Sequence, residues 1–162
     1  MSISRLAFLD ILQFDGGEVY RGAVLLTQES TVPLEFYLTD PLRPNPIQKV
    51  LYGAVFEEYL KFEVFGKPLL NNLSKKPEII FVRESGLLNL VSTSETPIAL
   101  MTDENAVKSL VSGKNYEDQI LKKEIESLAR ENNLFEPFDR ISDAVTQIHH
   151  QQMNGKKQAA AA

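Results

Sequence analysis

Asp10 is an ionisable residue in the middle of an apolar run, Leu6-Ala7-Phe8-Leu9-Asp10-Ile11-Leu12-Gln13-Phe14. Read as a strand, the run puts Asp10 on one face with Leu6, Phe8, Leu12 and Phe14, and Ala7, Leu9 and Ile11 on the other. A carboxylate there is costly to bury unless a cation or a metal ion meets it. Arg21 is the expected cation, unless Asp10 faces a solvated sheet edge. Arg43 is a second candidate, set in the connector Asp40-Pro41-Leu42-Arg43-Pro44-Asn45-Pro46. A rigid loop of this kind can present a guanidinium to a carboxylate or phosphate. Its structural role would be a local pair between Asp40 and Arg43. The third candidate is the seam Phe138, Ile141, Val145 and Ile148, spaced 3, 4, 3 in an otherwise polar segment, which suits docking of a helix on this domain or on another chain.

Much other chemistry is excluded. With no cysteine, a thiolate zinc site, an Fe–S cluster, a disulfide framework and a cysteine nucleophile are impossible. There is no phosphate-binding or dinucleotide-binding glycine motif, no Gly-x-Ser-x-Gly and no His-Glu-x-x-His. His149 and His150 are adjacent on a helix and point about 100° apart, so they are expected to be solvated rather than to chelate or to serve a Ser–His–Asp triad.

The chain has 162 residues, 43% hydrophobic and 24% charged, enough for one sizeable core. The net charge is −5, spread evenly: 8 basic and 10 acidic side chains in residues 1–81, then 9 and 12. That balance carries no Lys/Arg field for nucleic acid. The opening run is too short for a membrane span and no cleavage signal follows, so a cytoplasmic protein is expected.

Positioning these residues requires the following elements. Strands are predicted at 6–14, 18–28 and 34–39, the first two joined by the Asp15-Gly16-Gly17 turn, making an antiparallel meander covered on both faces. Asn45 caps and Pro46 opens a helix to about Leu60, with Ile47, Val50, Leu51, Ala54 and Val55 as its buried stripe. Phe62–Leu73 is ambiguous. Glu78–Val82 reads as a buried strand, Ser85-Gly86 as a hairpin turn, and Leu87–Val91 and Ile98–Met101 as further strands. Asp103–Val111 reads as a short helix closing near Gly113. Tyr116–Arg130 reads as an amphipathic helix facing inward through Leu121, Ile125, Leu128 and Ala129. The fold class is α+β, in the order β-β-β-α-β-β-α-α. Residues 1–135 form one domain, 136–153 a C-terminal helical arm, and 154–162 a polar and poly-Ala tail.

A meander followed by a helix and a fourth strand resembles the opening of the ribonuclease H-like nuclease fold. That family places metal-binding carboxylates on the first strand, the first helix, the end of the fourth strand and a C-terminal helix. The resemblance implies Asp10, Glu57 or Glu58, Glu84, and Asp139 or Asp143 at those places, holding two Mg²⁺ or Mn²⁺ ions for phosphoryl displacement. Two readings follow. The first is a non-enzymatic accessory subunit without cofactor, binding a protein partner through Phe138, Ile141, Val145, Ile148 and Arg43. The second is a metal-dependent nuclease using Asp10, Glu57, Glu84 and Asp139.

Overall fold

The computed structural model describes residues 3–92, 94–112 and 118–161. Strands β1 (Arg5–Phe14), β2 (Val19–Gln28) and β3 (Pro33–Leu38) form the predicted meander. After the helical stretch come β4 (Ile79–Val82), β5 (Ile98–Met101) and β6 (Val107–Val111). The sheet order is β3-β2-β1-β4-β5-β6, with β4 parallel to both β1 and β5 and the other pairs antiparallel. The chain is thus mixed α+β, as its pattern implied.

Alternation along β1 sorts the two cores. Ala7, Leu9 and Ile11 face one layer with Phe56, Leu60, Phe65, Leu69, Leu87 and Leu90. Leu6, Phe8 and Leu12 face the other, with Ile125, Leu134, Phe138, Ile141 and Val145. Helices therefore cover both faces, which explains why β2 is buried over nearly its whole length.

The first helical layer departs from the expectation of one helix to Leu60. Helix α1 (Pro46–Tyr52) starts as predicted, Asn45 Oδ1 accepting from the Ile47 amide at 2.8 Å. It stops at Gly53, whose φ of +56° only glycine adopts readily. Beyond a 3₁₀ turn, α2 (Phe56–Tyr59), a π-helical stretch (Leu60–Gly66) and α3 (Lys67–Asn72) continue the path. These later segments supply Phe56, Leu60, Phe65 and Leu69 to the core, so the expected stripe finds the sheet already covered. Ile47, Val50, Leu51, Ala54 and Val55 instead face outward.

Two further expectations are corrected. Ser85–Ser92 is a 3₁₀ helix, replacing both the hairpin at Ser85-Gly86 and the strand at Leu87–Val91; it buries Leu87 and Leu90 on one side. Val107–Val111 is a strand, because β5 offers an unpaired edge and Asn105, at φ +60°, turns the chain back onto it. The proposed close near Gly113 and the start at Tyr116 lie outside the described residues. Helix α4 (Asp118–Glu131) buries Ile125, with Leu121, Leu128 and Ala129 packed beside it as predicted. Helix α5 runs from Glu136 to Ala161, through the segment read as a tail. Among the described residues no helix is long and apolar enough to cross a membrane.

Candidate functional site

Asp10 lies on the central strand and is 1% exposed. Its partner is Arg83, just past β4, with Nη2 2.7 Å from Oδ2, and not Arg21. The parallel register sets this up, because Phe8 lies opposite Phe81 and two residues further brings Asp10 level with Arg83. Burial pushes the Asp10 carboxyl up to about 6; Arg83 pulls it down without winning, and the Glu84 charge adds a smaller upward push. Arg83 also lies over the Phe138 ring, 5.6 Å from its centroid.

Of the other carboxylates named by the resemblance, Glu84 is near enough to act on the Asp10 charge, but no three of them gather among the described residues. Glu57 accepts from the Tyr20 hydroxyl at 3.1 Å, and Lys61 Nζ stands 4.0 Å from Glu57 and 3.3 Å from Glu84. Lys61 belongs to the layer of Leu60 and Phe65, whereas Asp10 shares the face of Phe8 and Leu12. Glu58, Asp139 and Asp143 are exposed. Among the described residues no three His, Asp or Glu side chains are grouped so as to hold a metal ion. At Asp10 a guanidinium stands where a metal ion would, and near Glu57 and Glu84 an ammonium does. The residues present do not fit a two-metal centre.

The C-terminal seam docks on its own sheet. Phe138, Ile141 and Val145 are at most 1% exposed, and Phe138 meets Phe8 edge-on at 5.6 Å; Ile148 is half-buried. Phe138, Ile141 and Val145 fill the second core layer, so these three face their own sheet and not a partner. Arg140 ties the helix start to the β2–β3 turn, donating to Thr31 O at 2.7 Å and Thr31 Oγ1 at 2.6 Å. Arg43 pairs with Glu18 and Asp15 on the β1–β2 turn rather than with Asp40, so it anchors the connector.

The histidine reading is half corrected. His150 is exposed, but His149 is 2% exposed and stacks on Phe14 at 4.1 Å. Arg21, itself 1% exposed, donates to Gln152 Oε1 at 2.8 Å and Thr39 O at 3.1 Å, and lies 3.3 Å from His149 Nδ1. A guanidinium only donates, so Nδ1 is the acceptor. These contacts fasten the far part of α5 to β2. The sequence carried a hint in the four-residue step from Val145 to His149, which continues the seam.

Reading the sequence missed the outward face of α1. Ile47, Val50, Leu51 and Val55 are 69%, 79%, 78% and 58% exposed. Isolated exposed apolar residues are ordinary, but several hundred Å² of contiguous apolar surface mark an interaction site. The signal was present as the stripe; its direction was not.

No protein-family model matches the chain, and no curated protein matches it closely. Several solved structures are distantly similar, two of which follow. Argonaute of Marinitoga piezophila, in complex with a 5′ OH guide RNA, is 17% identical with a TM-score of 0.32, over 59% of this chain and 16% of that one. Endonuclease V of Ciona intestinalis was solved with a 24mer DNA containing an inosine followed by a ribo-adenosine. It is 14% identical with a TM-score of 0.33, over 80% of this chain and 56% of that one. This chain thus spans less than two thirds of either, and no role passes from them to it.

Proposed function

We propose that this protein is a non-enzymatic accessory subunit of a larger cytoplasmic complex, and that it binds a protein partner through α1. The observation that carries this reading is the set of exposed apolar side chains Ile47, Val50 and Leu51 on the capped helix α1 and Val55 on the turn after it, which none of the described residues buries. Supporting it, the buried carboxylate that the nuclease comparison needs is engaged by Arg83. The test is capture from the native cell with wild-type chain, Leu51→Asp and Ile141→Asp. Leu51 is exposed, so Leu51→Asp is expected to keep the melting temperature and lose the partner. Ile141→Asp is expected to lower the melting temperature sharply. A partner retained by Leu51→Asp refutes the assignment of α1.

The metal-dependent nuclease reading keeps one observation in its favour, the position of Asp10, a buried carboxylate on the central strand where the resemblance places a ligand. Under that reading Mg²⁺ or Mn²⁺ raises the melting temperature and Asp10→Asn removes the rise. Our reading expects no such shift.

A further inference from the structure

A groove opens beside the stripe where α1 turns into α2. Tyr52, Val55, Glu58, Tyr59, Phe62 and Glu63 line one side, Asn89, Val91 and Ser92 of the 3₁₀ helix Ser85–Ser92 the other, and the groove is open and shallow, with a volume of about 590 Å³. Val55 is exposed and also lines the groove, so the groove adjoins the C-terminal end of α1 and its exposed apolar residues. Among the described residues the lining contains two glutamates and no lysine or arginine. Tyr52 and Tyr59 stand with ring centroids 4.6 Å apart, giving the groove aromatic faces.

The chain itself displays what this chemistry binds. Lys67 Nζ lies 4.8 Å from the Phe62 ring centroid and 3.1 Å from Glu63 Oε1, an ammonium held between an aromatic face and a carboxylate. That contact satisfies Glu63. Glu58 is exposed near the tyrosine pair, and among the described residues no basic side chain pairs with it.

Resting on the reading of α1 as the docking surface, we propose that the partner presents an apolar segment carrying a Lys or Arg. The apolar residues cover Ile47, Val50, Leu51 and Val55, and the cation enters the groove between Glu58 and the Tyr52–Tyr59 faces. Charge favours this occupant. Among the described residues the charged side chains lining the groove are Glu58 and Glu63, which oppose an anionic ligand and draw a basic one.

The experiment is selection of a random 12-residue peptide library on the immobilised full chain, followed by affinity measurements on the enriched peptides. Enriched sequences are expected to combine apolar residues with at least one Lys or Arg. Their affinity is expected to fall at least tenfold in Glu58→Lys and to vanish in Leu51→Asp, with unchanged melting temperature in both. Loss in Leu51→Asp with indifference to Glu58→Lys overturns the basic anchor and leaves α1 as the docking surface. Indifference to both, or no enrichment, overturns both. A concentration-dependent dimer that Leu51→Asp abolishes assigns the stripe to a second copy and likewise overturns the proposal.

Discussion

At the scale of single residues, Asp10 and Arg83 are set by a competition between burial and pairing. Burial is the larger effect on Asp10, so its carboxyl titrates near 6 in the folded chain against 3.8 when exposed. Between those values the folded state holds a proton that the unfolded state has lost. This contribution to stability is therefore full below about pH 4 and declines as pH rises toward 6. Its size is about 3 kcal/mol, from about 1.4 kcal/mol per pKa unit. Glu78 and Glu136 carry the opposite sign: burial pushes Glu78 up but hydrogen bonds from Ser4 and Arg5 together outweigh it, and hydrogen bonds from Arg140 hold Glu136 below its usual range. Their stabilisation is present above about pH 4.5 and fades below it, outside the upper part of the Asp10 window. Denaturant unfolding at pH 4.5, 5, 6 and 7 checks this. The stability difference between wild type and Asp10→Asn is expected to change with pH over 4.5–6 and to be flat above 7; a difference constant throughout contradicts the assignment.

At the scale of elements, two glycines decide how the helical layer lies on the sheet. Gly53 breaks α1 with positive φ, and Gly22 on β2 lets the next segments approach. A Cβ at residue 22 would stand 2.9 Å from both Leu69 Cδ1 and Phe65 Cβ. Gly22→Ala is expected to destabilise by about 1–3 kcal/mol, the usual cost of overpacking. Calorimetry would show a lowered melting temperature; an unchanged one would mean the helix rides out at no cost. On the opposite face Phe138→Ala removes a fully buried ring packed on Phe8 and is expected to cost about 3–5 kcal/mol. A surface arm would lose almost nothing from the same change, so denaturant titration separates the two.

At the scale of the whole molecule, two layers packed on one sheet make the C-terminal helix part of the fold. Among the described residues, the most exposed large apolar side chains are Val50 and Leu51 on α1, next to the groove, and that is where the proposed partner would bind. The sequence by itself determined the strands β1 to β5, the meander, the start of α1, the inward face of α4 and the seam of α5. Each depends on local periodicity, a cap or a turn residue, and such signals act over a few positions. It also marked Asp10 as a residue needing a partner. Tertiary structure decided which partner, because Arg83 is 73 positions away and becomes a neighbour only when β4 lies parallel to β1. It also decided that Val107–Val111 is a strand, since its backbone partners are on β5. Most of all it decided which way each apolar stripe faces. Ile47–Val55 and Phe138–Val145 both follow a 3.6-residue period, yet one points to solvent and the other fills the core. Periodicity says that a helix has an apolar side; whether its own chain covers that side depends on which segment reaches the sheet first.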